Sequence, residues 1–166
     1  MVEIIYVLNN VTSPQRLIDA VKTAYSIESG PRIKAFIVTK VTGMAAQTGL
    51  PEAGRYAYKL GKPLIILPTL KDAIELLNPT RIILITKRSD NSKSLEDVEV
   101  SGSDTLMIVV SGSDSEFAKS ELALGDHFHI PLFTFLTPSA SIALSYYIIK
   151  RKLETPRSGG SAQNTS

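Results

Sequence analysis

The chain has 166 residues, 43% hydrophobic and 20% charged, and its eighteen basic side chains against sixteen acidic ones leave a formal net charge of +2. Such a composition excludes a disordered chain and suits one globular domain with a single buried core, while the near balance of charge allows a nucleic-acid-binding face without demanding one. There is no cysteine, so disulfides, thiolate nucleophiles and thiolate metal sites are excluded.

The opening MVEIIYVLNN has no basic leader-like segment, and no apolar run approaches the roughly 18 residues of a spanning helix. A cytoplasmic protein without membrane contact is the expectation. In chain order, apolar runs at Val2–Leu8, Ile33–Thr39, Leu64–Leu67, Ile82–Thr86, Leu106–Val110 and Leu132–Leu136 predict strands. Several are apolar at consecutive positions, as parallel strands covered on both faces are. Helices between them start at recognisable signals: Ser13 before Pro14, Pro51 followed by Glu52, and Thr69 with Asp72 three residues on. The alternation predicts a layered α/β domain around a parallel sheet.

Two stretches break the rhythm. Lys87–Asp104 is polar and longer than the ~12 to 15 residues of a plain connection, which predicts a flap or a short extra element. The last helix, about Pro138–Leu153, is apolar around much of its girth and needs more than one neighbour. The fold is expected to occupy residues 1–153, with 154–166 a disordered tail that has almost no apolar residue.

Met107–Lys150 carries most of the functional information. An apolar strand ends in Ser111-Gly112-Ser113, an Ile130-Pro131 step follows, and Thr137-Pro138-Ser139-Ala140-Ser141 opens the last helix. Small residues and free backbone N–H groups at a strand's carboxyl end lie where open α/β sheets place their ligands, so the segment reads as a nucleotide cradle. Other chemistries fail on spacing. Lys119-Ser120 follows Gly112, but Ala118 stands where a phosphate loop needs its second glycine, and no Gly-x-Gly-x-x-Gly occurs. No glutamate has a lysine two residues later, so the metal-dependent nuclease pattern of Asp followed by Glu-x-Lys is missing. His127 and His129 have only Asp126 beside them, and no metal site is expected.

Three segments together resemble the SPOUT superfamily of RNA methyltransferases, in particular a divergent, archaeal-type branch of its SpoU group. Asn10–Ala24 (NVTSPQRLIDAVKTA) is similar to that family's first motif at Asn10, Val11, Pro14, Thr23 and Ala24, without a gap. Val109–Lys119 is similar to the second, with Gly112 in place and Asp114 where the family usually has glutamate. Ile130-Pro131 and Thr137–Ala143 are similar to the third, with Ser139 at an asparagine position. Lys22 stands where the family has its reactive arginine, and Arg16 where it has an asparagine.

The resemblance implies an α/β parallel-sheet domain with a C-terminal trefoil knot, a rare exception to ordinary chain topology. It implies S-adenosylmethionine as cofactor, held by Ile85, Thr86, Ser111, Gly112, Ile130, Leu132, Leu136 and Ser139. It implies methyl transfer to RNA, tRNA or rRNA, at a ribose 2′-hydroxyl, with Lys22 and Arg16 as the catalytic candidates and a homodimer formed through the last helix. Positioning can supply much of the acceleration in such a transfer, with Lys22 aiding removal of the hydroxyl proton. Lys40, Arg55, Lys87, Arg88 and Lys93 are candidates for phosphate contact, and no aromatic-rich base-stacking motif is visible. Three alternatives stay open: a non-catalytic RNA- or nucleotide-binding module that keeps the knot, an unknotted flavodoxin-like domain, and a monomer whose last helix is capped by an extra element.

Overall fold

Seven strands, β1 (Glu3–Val11), β2 (Arg32–Val41), β3 (Leu64–Leu67), β4 (Arg81–Ile85), β5 (Lys93–Ser94), β6 (Thr105–Ser111) and β7 (Asp126–His129), form one sheet in the order β3-β2-β1-β6-β4-β7-β5. Every neighbouring pair is parallel, so all seven carboxyl ends lie on one edge. The computed structural model describes residues 1–155, and the expected tail at 156–166 lies outside the described residues. Among the described residues no helix is long and apolar enough to cross a membrane.

The consecutive apolar runs are explained by cover on both faces. In β1, Ile4, Tyr6 and Leu8 pack into one core with α1 (Pro14–Tyr25), α2 (Leu50–Leu60) and α5 (Pro138–Glu154). Ile5 and Val7 point the other way, into a second core under α3 (Leu70–Leu77) and the segment leading to the short α4 (Lys119–Leu122). The helix starts read from sequence take the expected form. Ser13 Oγ accepts from the Arg16 N–H, and Thr69 with Asp72 forms a complete capping box. Leu50 rather than Pro51 begins α2, because a π-helical turn over Ala45–Gly49 runs directly into it.

One expected strand is absent. Leu132–Leu136 is a loop, and the strand of that region lies earlier, at Asp126–His129. Pro131 cannot donate to a sheet ladder, Leu132 has φ 81°, and its side chain is 97% exposed, so this apolar run is not a buried strand. The Lys87–Asp104 stretch does contain the extra element, namely β5 and a 3-10 turn at Leu95–Asp97. Leu95 is fully buried against the core that includes α5, and Lys152 Nζ donates to the Glu96 carbonyl.

Helix α5 reaches Glu154, one residue past the expected end, and buries a stripe of Pro138, Ser141, Ile142, Ser145, Tyr146 and Ile149. Its anchor in the sheet is Tyr6. That hydroxyl donates toward the Ile142 carbonyl at 3.1 Å and lies 2.9 Å from Ser145 Oγ. Burial pushes the phenol above its ordinary pKa and the Ser145 bond lowers it only in part, so the group is a neutral donor at any physiological pH. Tyr6→Phe is expected to cost about 1–2 kcal/mol in urea unfolding, because it removes a buried hydrogen bond between β1 and α5 and leaves the Ile142 carbonyl with the Ser145 hydroxyl as its remaining side-chain donor. At the other end of the stripe the Tyr146 hydroxyl lies 2.7 Å from the Pro31 carbonyl and holds the turn before β2.

Candidate ligand cavity at the carboxyl edge of the sheet

Asn9 in β1 is in register with Thr39 of β2 on one side and Ser111 of β6 on the other, so three polar residues stand in one row near the carboxyl ends of three apolar strands. Beyond this row the chain turns sharply. Asn10 and Lys40 adopt φ 65° and φ 50°, the left-handed region. Gly112 donates its N–H to the Asn9 carbonyl at 2.7 Å. A Cβ on Gly112 would lie 2.6 Å from Val11 Cβ and 2.9 Å from the Asn10 carbonyl oxygen, so only glycine lets these two strand ends approach.

Beside that crossing lies a cavity of about 360 Å³, within the usual range of roughly 300–1,000 Å³ for small-molecule sites. One wall is the end of β4, with Ile85, Thr86, Lys87 and Arg88. Opposite stand Ser111 and the turn through Asp114 to Phe117. Ile130, the loop Phe133–Leu136 and Ser141 of α5 close the remaining side. Thr86 Oγ1 is buried without a hydrogen-bond partner among the described residues, in a wall that is otherwise mixed apolar and polar. A buried hydroxyl left so is a cost that a polar ligand atom could offset.

Five of the residues expected from sequence line this space: Ile85, Thr86, Ser111, Ile130 and Leu136. Gly112 shapes the adjoining crossing without lining it. Leu132 points to solvent and Ser139 does not line the cavity, whereas Ser141, two residues on and 7% exposed, does. Arg16 does not line the cavity but is tied to its wall. Its guanidinium lies 2.9 Å from Asp114 Oδ1 and 3.4 Å from the Gly112 carbonyl, so the Asn10–Ala24 and Val109–Lys119 segments meet in space. Asn10 Nδ2 adds a 3.2 Å bond to Ser113 Oγ. Lys22 does not line the cavity, and its ammonium sits 5.6 Å above the Tyr56 ring. Each histidine is engaged by its own protein partner: His127 Nε2 lies 2.6 Å from the Leu122 carbonyl and His129 Nδ1 lies 2.8 Å from Ser92 Oγ.

Behind the Gly112 turn is a polar cluster that sequence reasoning missed. Asn9, 1% exposed, donates from Nδ2 to Glu121 Oε2 at 2.8 Å and accepts from Thr39 Oγ1 at 2.7 Å. Lys40 Nζ lies 3.1 Å from Glu121 Oε2, and the Ala118 N–H donates to Oε1 at 2.9 Å. Burial raises the Glu121 pKa, but the Ala118 N–H, Asn9 and Lys40 outweigh it and hold the carboxyl below its ordinary value. A depressed carboxylate contributes stability that is complete above its unfolded pKa, about 4.3, and is lost as pH falls through the lower folded value. Glu121→Gln is therefore expected to lower the melting temperature most near pH 7, with the difference from the parent protein shrinking below about pH 4. A difference independent of pH would contradict the network.

These features can be set beside known proteins. A protein of Aeropyrum pernix named "Putative type II restriction enzyme ApeKORF2002P" is 38% identical over 155 residues, covering 90% of this chain and 94% of its own. Among solved structures, the SpoU methyltransferase AviRb from Streptomyces viridochromogenes, in complex with AdoMet, superimposes with a TM-score of 0.67 at 12% identity, covering 92% of this chain and 62% of that one. A structure described by the 2-OH methylation of C/U34 on tRNA gives a TM-score of 0.68 at 16% identity, covering 92% and 97%. The fold is thus that of the SpoU-type SPOUT methyltransferases. Residues 43–148 match the family described as RecB-family nuclease (DUF2122), and by that match together with the 38% identity to the Aeropyrum protein the chain belongs to the DUF2122 family.

Proposed function

We propose that this chain binds S-adenosylmethionine in the cavity beside Gly112 and methylates RNA, tRNA or rRNA, at a ribose 2′-hydroxyl, as a divergent member of the SpoU-like group. The observation that carries the reading is the cavity itself. It is built by a glycine crossing and the Ile130 and Leu136 walls, in a fold shared with proteins solved with that cofactor. The residues present suit the group: Ile85, Ile130 and Leu136 give an apolar slot, and Thr86 offers an unpartnered hydroxyl. We further propose that α5 is threaded as a trefoil knot and that two copies pair through it, covering Tyr147, which is 60% exposed.

When bound, the cofactor supplies an electrophilic methyl group. The chain's own residues bind, orient and exclude water. Ser111 stands in the wall, held in place by the Gly112 crossing behind it, while Phe117 and Leu136 give the cavity apolar surface. Arg16, paired with Asp114 and bonded to the Gly112 carbonyl, keeps the remaining N–H groups of its guanidinium beside the cavity wall, where they orient an RNA phosphate or hydroxyl. Lys22 is the second candidate for aiding loss of the hydroxyl proton.

The family's description as a nuclease favours a competing reading, phosphodiester cleavage. Against it, no Asp or Glu in the chain has a lysine two residues later, and the described residues bring no three His, Cys, Asp or Glu side chains together around one point. The two readings part in one experiment. Purified protein is incubated with methyl-labelled S-adenosylmethionine and total tRNA or rRNA, and in parallel with Mg²⁺ and duplex DNA. Labelled 2′-O-methylnucleoside that falls at least tenfold in Arg16→Ala or Lys22→Ala is expected. Cut DNA without label transfer would reverse the assignment, and cofactor binding without either activity would favour a non-catalytic binding module.

A further inference from the structure

The mouth of the cavity carries two half-buried aromatic rings beside two free cations. Phe133 and Phe135, two residues apart in the loop that replaces the expected strand, are 48% and 50% exposed while also lining the cavity. Lys87 and Arg88 form the facing rim at the end of β4, both exposed and, among the described residues, without a carboxylate partner. Of the two carboxylates that line the cavity, Asp114 is paired with Arg16, and Glu116 alone stands against the two charges of Lys87 and Arg88, so the rim keeps a positive balance. An aromatic side chain left half in water forgoes much of the burial for which such residues are otherwise used, and here two do so at one rim.

We propose that this rim is a nucleotide subsite, in which an unpaired base of an RNA strand stacks on Phe133 or Phe135 and its flanking phosphates meet Lys87 and Arg88. The occupant follows from the combination. Aromatic faces accept any base, but only one whose face is not already covered in a duplex, and free cations at the same rim select a polyanion. A second copy of the chain fits less well, since pairing this patch on itself would bring two sets of Lys87 and Arg88 together. The choice of RNA over DNA rests on the function proposed above, whereas the preference for an unpaired strand rests on the rim alone. The consequence for the reaction is that the target nucleotide is presented from a loop or single strand.

The test is fluorescence anisotropy of the full chain with a labelled unstructured 12-nucleotide RNA, the same sequence as DNA, and the RNA as a blunt duplex. The single-stranded RNA is expected to bind at least tenfold more tightly than the duplex. Replacing both phenylalanines (Phe133→Ala with Phe135→Ala) should weaken the single strand tenfold or more and leave the duplex unchanged. Phe133→Leu with Phe135→Leu, which keeps the apolar volume, serves if the alanine variant does not fold. Lys87→Ala with Arg88→Ala should weaken all three and lower the salt slope for the single-stranded RNA by about 1.4, as two lost phosphate contacts require. Duplex bound as tightly as the single strand, no effect of the phenylalanine changes, or phenylalanine variants that shift sedimentation from dimer to monomer would overturn the subsite. Equal affinity for the DNA strand would overturn the RNA assignment. Titrating the same proteins with S-adenosylmethionine separates the two ideas: intact single-strand preference without cofactor binding upholds the subsite and removes the methyltransferase reading.

Discussion

Gly112→Ala is expected to abolish measurable S-adenosylmethionine binding and to cost about 1–3 kcal/mol of stability, the usual range for forcing an extra methyl into a packed site. The added Cβ meets Val11 Cβ at 2.6 Å and the Asn10 carbonyl oxygen at 2.9 Å, closer than unbonded atoms approach. Neither neighbour is the far end of a flexible side chain, so the strand ends themselves must move apart. That movement lengthens the 2.7 Å bond from Gly112 N to the Asn9 carbonyl and displaces Ser111 from the cavity wall. The two readouts are a urea midpoint and a calorimetric titration. A variant as stable as its parent and binding normally would show that the crossing is looser than its geometry indicates.

Asn9→Ala is expected to cost about 3 kcal/mol, from two buried groups left short of a partner at once. Glu121 loses a charge-assisted donor at 2.8 Å, and the Thr39 hydroxyl, fully buried, loses its acceptor at 2.7 Å. Lys40 remains on Glu121, but its side chain is 41% exposed, so its attraction is screened and cannot replace the lost bond. The loss should carry into the site. Glu121 ties the start of α4 to the carboxyl end of β1, and the Ser111–Phe117 turn that leads into α4 is one wall of the cavity. Weaker cofactor binding alongside the lower unfolding free energy is the expected pattern. A loss under about 0.5 kcal/mol would mean that water replaces Asn9 at no cost.

The layered α/β order was legible because its signals are local. Ser13, Thr69 and Asp72 announce helix starts through atoms three residues apart, and β1, β2, β4 and β6 announce burial on both faces by unbroken apolar runs. The same rule failed at Leu132–Leu136. An apolar run in a cavity rim and an apolar run in a central strand have the same composition, and only the φ of Leu132 and its exposure tell them apart. The cluster of Asn9, Thr39, Lys40 and Glu121 was hidden for another reason: Asn9 and Glu121 are 112 residues apart, and no local pattern marks either as a partner. The expected Ser139 and the observed Ser141 differ by half a helical turn, which decides whether a side chain faces the cavity and which a motif match does not resolve.

Lys22 is the clearest case of a role that sequence position alone does not settle. It occupies the position that the resemblance assigns to chemistry, yet its ammonium rests above Tyr56 of α2, while Arg16, one and two-thirds turns earlier on the same helix, reaches the Gly112 carbonyl. Cofactor binding therefore stands on more of this chain's geometry than catalysis does. The direct measurement is a calorimetric titration of the purified 166-residue chain with S-adenosylmethionine, with Gly112→Ala as control. Saturable binding at one site per chain, lost in the variant, is the predicted result. No heat at millimolar cofactor, from a protein shown to be folded, would contradict the account.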